Sequence, residues 1–165
     1  MVKLKKFEFF GDGEFAEFDN NSGEKFWGNC GAGCIVLSKK TKRFLLNYRS
    51  EKVNEPHTYG LWGGKVEDNE DIESTVLYEL YEESNFNGKI IDLIPIFVFV
   101  NHNKTFEYHN FLAIIEDEFT PMLDWESEGY KWLTFDNLLK LNRKHPGLEL
   151  LLKDNNSINV IKNNI

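Results

Sequence analysis

Three glutamates, Glu79, Glu82 and Glu83, stand at i, i+3 and i+4 in the stretch Asp71 to Ser84, and no other feature of the sequence restricts the fold as strongly. The stretch is predicted to be a helix. Ile72, Val76 and Leu80 recur at a spacing of four, with Leu77 beside them, which makes one apolar stripe. Asn69 or Asp71 is placed to cap its start, and Asn85 to take the left-handed position after its end. On such a helix the three carboxylates share one face, with Cβ atoms about 5–6 Å apart. They repel one another and crowd the last turn, where the helix dipole disfavours anions. Thr75, Tyr78 and Asn87, one turn away, are uncharged and bring no relief. Three such acids alone read most simply as a solvated face. The other reading is a divalent cation: magnesium takes hard oxygen ligands and shares its shell with water and phosphate. The glycine-punctuated turn Gly60-Leu-Trp-Gly-Gly64 precedes the helix and lets a backbone carbonyl approach the same ion, since no Cβ stands in the way.

Around that helix, strands and helices mix. Gly31 to Leu37 and Phe44 to Tyr48 read as strands, joined as a hairpin by the polar run Ser38 to Arg43. Glu51 to Tyr59 reads as a loop. Ile90 to Val100 is β-branched and aromatic, Asn101 to Lys104 turns the chain, and Thr105 to Ile115 is the antiparallel partner. After the acidic loop Glu116 to Gly129 come a strand, Tyr130 to Thr134, and helices at Phe135 to Leu141 and Gly147 to Lys153. The runs Lys153 to Asn156 and Lys162 to Asn164 read as solvated ends. Without regular βαβ alternation, this order predicts a mixed sheet with helices packed on it. No repeat or linker divides the 165 residues, so a single domain over 1–165 is expected.

Composition narrows the function classes. Hydrophobic residues at 41% and aromatics at 15% supply a core and exclude wholesale disorder. No apolar run reaches the roughly 18–20 residues that span a bilayer. Met1 to Lys6 leads into Phe7-Glu8-Phe9-Phe10 with no signal-peptide core, so a cytoplasmic protein without a membrane partner is expected. The net charge of −8 argues against long nucleic acid as a partner, yet a bound cation still admits a small phosphate substrate. Cys30 and Cys34 on one strand are about 13 Å apart, too far for a disulfide. No further Cys or His completes a zinc set at the usual spacing. His57, His102, His109 and His145 are scattered without a nucleophile beside any of them.

The run from Gly64 to Phe86 resembles the signature of the Nudix (MutT-like) hydrolase family, G-x5-E-x7-R-E-U-x-E-E-x-G-U, where U is bulky and apolar. Gly64, Glu70, Glu79, Leu80, Glu82, Glu83 and Phe86 fill seven of the nine specified positions without a gap. Tyr78 stands where the signature has arginine, and Asn85 where it has its second glycine. Tyrosine can donate a hydrogen bond but brings no charge; Arg49 and Lys65 are the cations considered as its replacement. The stretches Val53-Asn-Glu-Pro56 and Tyr108-His-Asn-Phe111 also resemble a subgroup of the family found in bacteriophages and bacteria.

The resemblance implies an α/β/α sandwich with a mixed central β-sheet and a pyrophosphohydrolase dependent on Mg2+, with Mn2+ able to substitute. It implies Glu79, Glu82, Glu83 and the Gly63 carbonyl as metal ligands and Glu70 as a residue that orients the loop or a metal-bound water. The family often adds an acid from a late loop; Glu126, six residues before Trp132, is the choice here, over Glu116, Glu118 and Glu128. Glu82, Glu83 and Glu126 are thus the expected catalytic set. Read from the residues themselves, Arg49 and Lys65 are candidates to meet substrate phosphates, with a surface salt bridge the equal reading for Arg49; Trp62, Phe97, Phe99 and Tyr108 are candidates to offer faces for a base, though each reads more simply as core. The substrate implied is a nucleoside diphosphate linked to another group. A non-catalytic nucleotide sensor, an isomerase-like use of the fold and an RNA 5′-end decapping enzyme remain open, and many relatives are homodimers.

Overall fold

The structure, a computed structural model, describes residues 29–165; the reading of Met1 to Phe10 lies outside the described residues. Strand β1 (Cys30–Ser38) is the axis of the fold. One of its edges pairs in parallel with β6 (Glu107–Ile115) over its whole length, from Cys30 against Glu107 to Ser38 against Ile115. In antiparallel register, Gly31 to Cys34 pair with β4 (Trp62–Lys65), and Val36 and Leu37 pair with β2 (Phe44–Arg49). Strand β2 also pairs with β3 (Tyr59–Gly60) and β7 (Ser127–Leu133), while β5 (Ile90–Val100) lies antiparallel to β6. Among the described residues the result is a mixed seven-stranded sheet. Strand β1 carries no charged side chain and is buried from Gly31 to Ser38, as a strand covered on both faces must be.

Side-chain alternation divides the core into two layers. Ala32, Cys34 and Val36 of β1 and Phe111, Ala113 and Ile115 of β6 face helix α1 (Ile72–Ser84), which contributes Val76 and Leu80. Ile35 and Leu37, with Tyr108, Leu112 and Ile114, face the opposite way. There they meet Leu138 of α2 (Phe135–Lys140), Leu148 and Leu151 of α3 (Pro146–Lys153) and Ile161 of α4 (Asn155–Lys162). The expected α/β/α sandwich is therefore the observed fold. No helix among the described residues is long and apolar enough to cross a membrane.

Three local expectations are corrected. The segment Gly60 to Gly64 is not a turn: Tyr59–Gly60 and Trp62–Lys65 are strands, and the glycines are there to admit close neighbours. Leu77 is exposed, so the buried stripe of α1 runs through Thr75, Val76, Leu80, Glu83 and Ser84. Residues 155–162 form a helix despite their asparagines. Asp154 caps it by accepting from the Ser157 backbone N–H at 2.8 Å, the Ser157 hydroxyl donates to the Ile96 carbonyl on β5 at 2.8 Å, and Ile161 is buried. Packing outweighs weak intrinsic propensity in so short a helix.

Gly33 and Gly63 are cross-strand partners on β1 and β4, and the fully buried Tyr108 places its hydroxyl against both. A Cβ on Gly33 would collide with that hydroxyl and sit 2.6 Å from the Trp62 carbonyl oxygen. Gly33→Ala is therefore expected to lower stability by about 1–3 kcal/mol, the range for overpacking, in a urea denaturation experiment. Tyr108→Phe in the same chain is expected to recover only part of the loss, because the Trp62 carbonyl remains. Full stability in Gly33→Ala alone would contradict this packing.

Candidate active site

Helix α1 is fixed at both ends, which sets the rotation of its acidic face. The Asp71 carboxylate accepts from the Ser74 backbone N–H at 3.0 Å. At the other end Asn85 adopts φ 58°, and its backbone N–H donates to the Tyr81 carbonyl at 2.7 Å. This rotation turns Glu83 inward, where it is 1% exposed and its Oε2 accepts from the Gly63 backbone N–H at 3.0 Å. A residue on a strand sends its N–H and C=O to the same edge. The Gly63 carbonyl therefore lies on the edge that meets Glu83, away from β1. One residue on, the Glu79 carboxylate lies over Gly64, where a Cβ would come within 2.6 Å of its carboxyl carbon.

Glu70 stands on the loop leading into α1. Its Oε2 accepts from the Thr75 hydroxyl at 3.2 Å. Glu82 is exposed and accepts from the Tyr78 hydroxyl at 2.7 Å, so the tyrosine in the arginine position supplies a donor to a signature glutamate. Lys65 does not take that role; its Nζ pairs with Glu67 at 3.3 Å. Glu126 comes from the loop before β7, which is tied to β2. The Ser50 backbone N–H donates to the Glu126 carbonyl at 2.9 Å, and the Ser50 hydroxyl donates to the Trp125 carbonyl at 2.9 Å. Gly64, Glu70, Tyr78, Glu79, Glu82 and Glu126 line one open cleft of about 240 Å³. Among the loop acids weighed in the sequence, Glu118 is held by Arg43 at 2.6 Å and Glu128 by His57 at 2.7 Å.

The electrostatics of the cleft are one-sided. Burial pushes the Glu79 carboxyl from the usual 4.5 up to about 8, helped by the negative charges of Glu126, Glu82, Glu70 and Asp124. Burial likewise pushes Glu83 well up, with Glu126, Glu79 and Asp124 adding to it and the Gly63 N–H opposing. Asp124, which sequence reasoning missed, is half-buried; desolvation raises it, Glu82 adds to the shift, and its Oδ1 accepts from the Glu126 backbone N–H at 2.9 Å. Its signal was present in Asp124-Trp-Glu126, two residues ahead of the chosen acid.

Among the described residues, no Lys or Arg pairs with Glu79, Glu82 or Glu83. Nor do the three carboxylates close up by themselves: the trio of possible ligand atoms found within 4.8 Å of one another lies elsewhere. Repulsion and the Tyr78 hydroxyl hold Glu82 outward. Glu79 and Glu82 on the cleft, with the buried Glu83 and the Gly63 carbonyl on the adjoining edge of β4, form a hard-oxygen donor set suited to Mg2+ or Mn2+.

The structure separates the expected stacking residues from this cleft. Trp62 is fully buried with its Nε1 donating to the Leu45 carbonyl at 3.2 Å, and Phe99 and Tyr108 belong to the core on the far face of the sheet. Their rings are enclosed by packing, which corrects the expectation that they offer faces to a base. Arg49 is buried at the end of β2, and its Nε donates to the Asn54 carbonyl at 2.9 Å.

The NUDIX domain model matches residues 29–154. No curated protein matches the sequence. Among solved structures, a Nudix hydrolase from M. smegmatis, RenU, superposes with TM-score 0.72 at 18% identity, covering 94% of this chain and 97% of its own. A C. elegans Ap4A hydrolase in a binary complex gives 0.59 at 22% identity, covering 74% and 93%. A bifunctional NMN adenylyltransferase/ADP ribose pyrophosphatase from Francisella tularensis, complexed with AMP and a Mn ion, gives 0.64 at 16% identity, covering 84% of this chain and 42% of its own. With the family model spanning most of its length and the glutamate helix of the signature in place, this chain belongs to the Nudix family of pyrophosphohydrolases.

Proposed function

We propose that this chain hydrolyses a pyrophosphate bond in a nucleoside diphosphate linked to another moiety, with Mg2+ as the working cation and Mn2+ as a substitute. The observation that carries the reading is the buried Glu83 beside the half-buried Glu79, which lines a cleft with Glu82 and Glu126, with no lysine or arginine among the described residues paired to Glu79, Glu82 or Glu83. So much negative charge repels a diphosphate unless a cation stands between them. Glu79, Glu82, Glu83 and the Gly63 carbonyl would hold that cation. When bound, it neutralises charge on the phosphate oxygens and acidifies a water.

The remaining roles belong to the chain. Glu126, at the cleft wall, accepts a proton from the attacking water while the water oxygen bonds to phosphorus and the bridging P–O bond breaks. Asp124 braces it by holding its backbone N–H. Tyr78 orients Glu82. Lys65, which lines the cleft beside its partner Glu67, is a cation placed to turn to a substrate phosphate. Triphosphate, ADP-ribose-type and dinucleotide substrates all present the required diphosphate. The net charge of −8 disfavours a long RNA. Replacement of the signature arginine by Tyr78 favours one rival reading, a nucleotide sensor that binds without turnover.

A panel of nucleoside diphosphate derivatives incubated with Mg2+ tests this directly. Phosphate-containing products are expected, and Glu83→Gln is expected to lower kcat on the order of 10²-fold or more while the chain stays folded. Tight binding without product would favour the sensor.

The raised carboxylates make a second prediction, for the metal-free protein. A carboxyl held above its ordinary value keeps a proton in the folded chain that the unfolded chain has released. Between about 4.5 and about 8, Glu79 therefore favours the folded state less and less as pH rises. Thermal unfolding in the presence of a chelator is expected to show a Tm falling across that window. Added Mg2+ or Mn2+ is expected to flatten the slope, and a slope indifferent to the cation would count against the assigned ligands.

A further inference from the structure

The parallel pairing of β1 with β6 brings together three side chains that lie far apart in the sequence. Cys30 is the register partner of Glu107, and Ala32 that of His109, so Cys30, Glu107 and His109 project from the α1 face of the sheet. The Cys30 Sγ, a Glu107 carboxylate oxygen and a His109 ring nitrogen all lie within 4.8 Å of one another. His109 Nε2 is 2.9 Å from Glu107 Oε1. The Cys30 Sγ also lies 4.0 Å from the Gly31 carbonyl oxygen, a contact too long to hold it. No zinc set is expected at the usual sequence spacing, and this trio is assembled by strand register instead.

We propose that Cys30, Glu107 and His109 form a second cation site, selective for a borderline-soft divalent cation of the zinc class. A thiolate, an imidazole and a carboxylate are the donors such a cation takes, and three protein ligands leave a fourth tetrahedral position open. Two of the three donors, Cys30 and Glu107, line a cleft of about 320 Å³ together with Val66, Glu67 and Glu70. The catalytic cleft offers oxygen donors, so the two sites sort cations by softness. They are also neighbours: Glu67 and Glu70 line both clefts, and the Val66 backbone N–H donates to the Cys30 carbonyl at 3.0 Å. A cation at Cys30 thus sits at the foot of the loop that carries Glu70. This inference stands whether or not the hydrolase reading of the substrate holds.

Cobalt substitution tests it on the full chain without an affinity tag. Titration with Co2+ is expected to produce a thiolate-to-cobalt charge-transfer band that saturates at one equivalent and is displaced by Zn2+. The band is expected to vanish in Cys30→Ser, to need more than about tenfold more Co2+ in His109→Ala, and to persist in Glu83→Gln. Thermal unfolding of each variant checks that it is folded, and His109→Ala carries the test if Cys30→Ser is not. Absence of the band in the parent chain, its survival in Cys30→Ser or unchanged titration in His109→Ala would overturn the proposal.

Discussion

A single hydrogen bond, from the Gly63 backbone N–H to the buried Glu83 carboxylate, joins the two halves of the site. It links the outward edge of β4 to the inward face of α1. A charged group so enclosed is costly unless it is hydrogen-bonded and compensated. One backbone N–H offsets part of that cost; the rest is left for a cation. Much else in the fold serves this contact. Gly63 has no side chain because Tyr108 and the Ala32 carbonyl fill the space on its other side, and Gly64 has none because Glu79 lies across it. The glycines are spaces for neighbours more than points of flexibility.

The loop that carries Glu126 reaches β4 and α1 through β2. Strand β2 pairs with β1 and β7, and Ser50 beyond its end holds the Trp125–Glu126 backbone. The acid on the late loop is thereby placed by the same sheet that places Gly63. Tyr78 fits this scheme as a neutral donor: its hydroxyl orders Glu82 but does not offset its charge. Compared with an arginine, it leaves the cleft more negative and more dependent on a bound cation.

Local patterns made the centre of this molecule legible. The caps Asp71 and Asn85 and the 3–4 spacing of the glutamates are properties of one helix and need no partner to be read. Strands β1, β2, β5 and β6 were legible for a similar reason, each being apolar, bounded and paired through a short turn. Non-local facts were not. The strand character of Trp62 to Lys65 depends on β1 accepting it, and the enclosure of Trp62, Phe99 and Tyr108 depends on what packs around them. Helix α4 depends on the Ile96 carbonyl receiving Ser157. The trio Cys30, Glu107 and His109 exists only because two strands run parallel in one register.

Crystals grown with Mn2+ and measured for anomalous scattering test the central claim most directly. A peak enclosed by the Gly63 carbonyl oxygen, Glu79 and Glu83, with Glu82 drawn in from its place beside Tyr78, is the predicted result. Ordered density for these side chains with no anomalous peak among them would contradict the account.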